Sequence, residues 1–490
     1  MNHSQIKTLG ELKKAKYVSR TVKEEMRTNL IERLKKRLPV FDNIIGYEHT
    51  VIPQLERAIL AGHNINFLGL RGQAKTRMAR QLVILLDEYI PVVHGSEIND
   101  DPFKPMSYYA RNKIEELGDA TPIDWVHRSE RYSEKLATPD VNIADLVGDL
   151  DPIKAANLKL SYSDEGVIHF GIIPRSNRGI FVINELPDLQ PRIQVALFNI
   201  LQEGDIQIRG FKLRFPLDVQ FVFTANPEDY TNRGAIITPL KDRIQSQIFT
   251  HYPETIEVGR TITRQEVQLS ESQKKQVHMP LIIEQLIEQI AVEARSSEFV
   301  DEKSGVSARL SISAYESVVS SVERRILLNG ESKGSARMGD LLSAIPAIVG
   351  KIEMVYEGEQ EGAVAVAHRL MGSAIRSLAS TYFKDFDKMR DKQHPEIRDK
   401  YIKVTQWFES GNELILENDE SEKLYSAQLQ KVTGLANVVS SAMKIDKSNG
   451  EQVLMEYLVH VLAAYSMLDK KVLENSFTFQ DYFSSIMPKG

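Results

Sequence analysis

Apolar residues along the chain fall into two patterns. Short, nearly continuous runs stand at residues 65–68 (Ile65, Asn66, Phe67, Leu68), 179–183 and 219–223, each followed by polar or glycine residues. Such runs read as strands buried on both faces of a parallel sheet. Longer segments repeat apolar residues at helical spacing and predict helices at about 48–60, 77–88, 191–202, 279–297, 311–328, 338–354, 363–382, 395–408, 424–443 and 452–474. Residues 204–215 alternate apolar and polar around Gly210, and 163–171 carry glycine punctuation; both predict hairpins. Residues 89–133, with Pro91, Pro102, Pro105 and Pro122, read as an irregular insertion between core strands. In that insertion His94, Glu97, Asp100 and Asp101 read as a solvated loop rather than converging metal ligands.

The first strand runs into Gly69-Leu70-Arg71-Gly72-Gln73-Ala74-Lys75-Thr76. This is a phosphate-binding loop in every fixed position except Ala74, which stands for the second glycine. In such a loop, glycines let backbone N–H groups turn inward, a lysine sets a point charge on terminal phosphates and a hydroxyl can bind magnesium. The strand at 179–183 ends in Asn184-Glu185, at the sheet edge where open α/β sheets hold their ligands. Glu185 can orient or polarise an attacking water. Asn184 stands where a magnesium-linked aspartate is expected, and an amide oxygen accepts a hydrogen bond but adds no charge. The strand at 219–223 ends in Thr224-Ala225-Asn226-Pro227, so Asn226 is a candidate to help place the same water. Arg243, in Leu240-Lys241-Asp242-Arg243, has a fork suited to a phosphoryl group and could act on a neighbouring subunit.

Composition narrows the classes. At 490 residues the chain has room for about three domains. With 42% hydrophobic and 26% charged residues it reads as globular. A net charge of -6 argues against a general nucleic-acid binder. The absence of cysteine excludes a disulfide framework, a thiolate zinc site and a cysteine nucleophile. The start lacks the apolar stretch of a signal peptide, and residues 453–468 are too short and too interrupted to span a bilayer, so a cytoplasmic protein with no membrane span is expected. Residues 7–37 are rich in Lys and Arg and read as a solvated amphipathic helix, or as a partner-binding arm.

Taken in order, these landmarks resemble the AAA+ ATPases, and among them the clade of the magnesium chelatase ATPase subunit and the MoxR proteins. The landmarks are 69–76, Asn177-Arg178-Gly179, Asn184-Glu185, Thr224 to Pro227 and Leu240 to Arg243, and the resemblance covers about residues 40–330. It implies an α/β AAA+ P-loop core with a parallel sheet and helices on both faces, followed by a helical lid and an all-α C-terminal region. It implies ATP and Mg2+ as cofactors: Gly69, Gly72, Gln73, Ala74, Lys75 and Thr76 on the nucleotide, Thr76 and Asn184 on the metal, Glu185 and Asn226 on the water. Arg243 would be an arginine finger and Arg309, in Ser307-Ala308-Arg309, a lid arginine on the nucleotide. An insert within 134–178 and a hairpin at 206–215 would act on a client.

The implied domains are a helical arm at 1–39, the core at 40–256, a lid and extension at 257–382 and a helical region at 383–490. The implied activity is an ATP-driven ring motor, hexameric, working with a partner that carries a von Willebrand factor A domain. Asn184 raises a second expectation, a scaffold that binds ATP with little hydrolysis.

Overall fold

The computed structural model describes residues 6–159, 165–208, 214–227, 235–384, 386, 388, 395–442, 450–473 and 475–482. The chain divides into two compact units, Met1–His251 and Tyr252–Gly490.

The first unit is built on a five-stranded sheet in the order Ser246–Phe249, Ile65–Leu68, Val219–Ala225, Gly179–Asn184, Tyr132–Leu136. Every neighbouring pair is parallel. The three predicted strands occupy its centre and are buried along almost their whole length. Alternate side chains serve opposite cores, which is why these strands read as continuous apolar runs. Ile65, Phe67, Ile180, Val182, Val222 and Ile248 pack on one face with the helices Val22–Lys35, Val51–Leu60 and Lys75–Gln81. Leu68, Phe181, Ile183, Phe221, Phe223 and Ala225 pack on the other with the helix Pro191–Glu203.

Several expectations are corrected. Residues 89–133 are not irregular. Tyr89–Val93 pairs antiparallel with Ile123–His127, and the helix Tyr108–Leu117 lies between them in the chain. Pro91 hides the first strand, because a proline within a run argues against a ladder position. The loop at 94–101 is solvated at His94 and Glu97 but not at Asp100, which is fully buried and accepts hydrogen bonds from Ser96 Oγ, Ser107 Oγ and the backbone N–H groups of Met106 and Ser107, at 2.6–2.9 Å. The expected insert at 134–178 begins later, since Tyr132–Leu136 is an edge strand of the main sheet. Beyond that strand the insert consists of the hairpin Gly148–Leu150 with Ile168–Phe170 and the short helices around it. The second hairpin pairs Asp205–Gln207 with Arg214–Pro216; its tip at 209–213 lies outside the described residues.

The basic N-terminal segment forms two helices, Leu9–Lys14 and Val22–Lys35, of which the second is anchored rather than solvated. Val22, Met26 and Leu30 are buried, and Glu25 forms a buried ion pair with Arg131 at 2.7 Å. Arg131 also donates to the Arg178 carbonyl, at 2.8 Å from Nε and 2.6 Å from Nη2. Asp218 caps the same helix by accepting from Val22 N–H at 2.8 Å, and burial pushes its carboxyl up to about 6. Removing one member of a buried pair strands the other, so Arg131→Met is expected to destabilise the first unit by about 3–5 kcal/mol. Chemical denaturation checks this. Adding Glu25→Gln to Arg131→Met recovers part of the loss if the stranded charge is its cause.

In the second unit one apolar core joins the helices Leu281–Arg295, Arg309–Asn329, Ala363–Tyr382 and Glu451–Ala464. The predicted helix at 338–354 is shorter, a 3-10 turn at Met338–Ala344 leading into Ile345–Val349. The C-terminal region is mainly helical, as expected, but it also holds a three-stranded antiparallel sheet, Leu414–Glu417, Ser476–Asp481, Leu468–Leu473. The expected helix 452–474 therefore stops at Ala464. Ser466 adopts a left-handed φ of 56°, which turns the chain out of the helix and into the strand.

Candidate functional site

Parallel pairing in register brings the C-terminal ends of three strands to one place. Leu68 pairs with Ala225 and Phe223 with Ile183, so the loop after Leu68, the turn at Asn184-Glu185 and Asn226 emerge side by side. Residues far apart in sequence thereby share one edge.

The phosphate loop starts at Gly69, whose N–H donates to the Ala225 carbonyl at 3.2 Å. Gly72 has φ 74° and Ala74 φ 56°, both left-handed. Ala74 thus adopts the conformation that a glycine would take at no steric cost. Lys75 follows as the first residue of its helix and is buried. Its ammonium donates to the carbonyls of Gly69, Leu70 and Ala225, the last two at 3.3 Å, and to Asn226 Oδ1 at 2.6 Å. The cation is thus held inside the curve of the loop by oxygen acceptors, a position that suits phosphate oxygens equally well.

Thr76 Oγ1 donates to Asn184 Oδ1 at 3.3 Å. Asn226 Nδ2 donates to Glu185 Oε2 at 3.2 Å. Asn226 therefore bridges Lys75 and Glu185, the lysine on its oxygen and the carboxylate on its nitrogen. Glu185 has φ 57°, a left-handed conformation uncommon for a non-glycine residue and often found at functional sites. Among the described residues, no group of three or more His, Asp or Glu side chains could hold a metal by itself. Magnesium usually takes one or two carboxylates together with waters and substrate phosphates; the Thr76–Asn184 pair offers two uncharged oxygens in their place.

Gln73 enters the site differently from expectation. Its buried side chain turns back to accept from Thr250 Oγ1 at 2.6 Å, and Tyr47 Oη donates to its carbonyl at 3.1 Å. A Cβ at Gly69 would overlap both the Thr250 hydroxyl and the Gln73 amide, so the first glycine is required by this pin. Tyr47 and Thr250 carry no signal in the sequence: they lie 26 and 177 positions from Gln73, and no local motif marks contacts of that range. Ile44 and Tyr47 are both buried in the first unit's core.

Arg243 does not join the cluster on its own chain. Its half-exposed guanidinium has Asp242 at 3.4 Å and lies 5.8 Å from the Phe198 ring centre. Arg309 belongs to the second unit, where it stands at the start of the helix Arg309–Asn329.

The chain is similar in sequence to several known proteins. The family described as the Sigma-54 interaction domain matches residues 159–247. The chain is 26% identical over 241 residues to the magnesium-chelatase 38 kDa subunit of Cereibacter sphaeroides, covering 48% of this chain and 65% of the relative. It is 24% identical over 235 residues to the subunit of the same name from Rhodobacter capsulatus, covering 47% and 61%. The matches thus span somewhat less than two thirds of each relative's length. Among solved structures, a cryo-EM-based complex of the BchI and BchD subunits of magnesium chelatase is 17% identical with a TM-score of 0.34, covering 65% of this chain and 97% of that one. NtrX from Brucella abortus in complex with ATP is 12% identical with a TM-score of 0.35, covering 70% and 72%. Likeness at such scores adds no weight. The sheet, the ordered landmarks and the sequence relatives together support an AAA+ ATPase of the magnesium-chelatase type.

Proposed function

We propose that this chain binds and hydrolyses ATP with magnesium and works as a ring, hexameric, that remodels or activates a protein partner. The observation that carries the reading is the convergence of Lys75, Thr76, Asn184, Glu185 and Asn226 on one sheet edge. Lys75 would exchange its carbonyl partners for phosphate oxygens, and Thr76 with Asn184 would hold the magnesium and its waters. Magnesium would neutralise charge between the terminal phosphates. Glu185, held by Asn226, would orient the attacking water. Arg243, half-exposed and held only lightly, would be available to a neighbouring subunit's nucleotide, and the family resemblance gives Arg309 the role of a lid arginine. A partner with a von Willebrand factor A domain, a MoxR-like role and a cytoplasmic location belong to the same proposal. Among the described residues no helix is long and apolar enough to cross a membrane.

One observation favours a second reading, a nucleotide-gated scaffold: Asn184 brings no negative charge to the metal side of the site. Two measurements on the purified chain decide between them. The motor predicts phosphate release with magnesium and a rise in molecular mass to six copies with ATP. It also predicts that Arg243→Ala loses at least about tenfold in turnover, in line with trans-acting arginines, while nucleotide affinity holds. Tight ATP binding with no phosphate release would instead establish the scaffold.

A further inference from the structure

Asparagine at position 184 poses a problem that aspartate would not. The two oxygens of a carboxylate are equivalent acceptors, but an amide has an acceptor at one end and a donor at the other. Only one orientation turns an oxygen toward Thr76 and the metal side of the site. Something must choose it.

Thr224 sits in the buried strand Val219–Ala225, one position beyond the Phe223–Ile183 pair, and is 1% exposed. Its hydroxyl accepts from the Glu185 backbone N–H at 3.1 Å and lies 3.3 Å from Asn184 Oδ1. A threonine hydroxyl has a single proton. Accepting from Glu185 directs that proton toward Asn184, whose oxygen takes it. The same oxygen accepts from Thr76 Oγ1 at 3.3 Å. Two hydroxyls from two elements therefore converge on the acceptor end of the amide. The Glu185 N–H engaged in this bridge belongs to the residue with φ 57°.

We propose that Thr224 is a positioning residue for magnesium: its hydroxyl fixes the Asn184 amide with the oxygen toward Thr76, so that an uncharged side chain can do the orienting work of the usual aspartate. This rests on the reading of the site as one for ATP and magnesium. Thr224 acts through its contacts with Asn184 and Glu185.

The test reads binding rather than turnover: the magnesium concentration that half-saturates binding of a fluorescent ATP analogue to the full chain. Thr224→Val removes the hydroxyl at nearly constant volume and should raise that concentration about tenfold, the scale of one lost hydrogen bond. Thr224→Ser keeps the hydroxyl and should stay within about twofold of the parent, since the bonding group is retained. In an Asn184→Asp background the valine exchange should shift it by less than about twofold, because either carboxylate oxygen accepts. Thr224→Ala provides the same comparison if the valine variant does not fold. A valine variant with the parent's magnesium requirement overturns the proposal. So does an equal shift in the Asn184→Asp background, which would mark a packing effect instead. A parent chain that binds no analogue at any magnesium concentration overturns the site reading itself, an outcome distinct from either.

Discussion

Glu185→Gln is expected to lower phosphate release by a factor on the order of 10²–10⁴, the usual contribution of a positioned general base, and to leave ATP affinity close to that of the parent. The exchange is nearly isosteric. The glutamine oxygen still accepts from Asn226 Nδ2, and the backbone N–H of residue 185 still reaches Thr224, so the left-handed turn and its neighbours keep their supports. The loss is confined to the carboxylate's ability to draw a proton from water. Equal loss of affinity and turnover would show that Glu185 builds the pocket rather than serving the chemistry. Undiminished phosphate release would remove it from the mechanism. Phosphate release and analogue binding on the same preparation separate these outcomes.

Lys75→Ala is expected to weaken nucleotide binding by about a hundredfold or more, because charge-assisted hydrogen bonds to phosphate are roughly twice as strong as neutral ones and this ammonium would supply several. The same exchange has a structural cost that the charge alone would not suggest. Three carbonyls and Asn226 Oδ1 share the Lys75 ammonium. The Ala225 carbonyl keeps the Gly69 N–H, but the other acceptors left without this donor cost about 1–3 kcal/mol each in unfavourable cases, so the variant should also melt earlier. A thermal melt without nucleotide measures the second effect and analogue titration the first. Unchanged affinity in a folded Lys75→Ala chain would place the phosphates elsewhere.

The central strands were legible because burial on both faces leaves a continuous apolar run, and the phosphate loop because its spacing is short and local. Edge strands were not. Tyr132–Leu136 is largely half-buried and mixes Tyr132, Ser133, Glu134 and Lys135, with Leu136 exposed, so no apolar run announces it. The sheet Leu414–Glu417, Ser476–Asp481, Leu468–Leu473 escaped for a related reason: its members are short, and two of them come directly after a strongly apolar helix whose pattern masks their own.

Within the site, sequence alone determined which side chains are chemically able to act: Lys75, Thr76, Asn184, Glu185 and Asn226 announce themselves by residue type and by position at strand ends. Tertiary structure alone decided how they are held. The Thr224 bridge, the pinning of Gln73 by Thr250 and Tyr47, and the grip of Asn226 on both Lys75 and Glu185 all join residues dozens to more than a hundred positions apart. Such contacts arise only once segments distant in sequence have packed together, which no local run of residues displays.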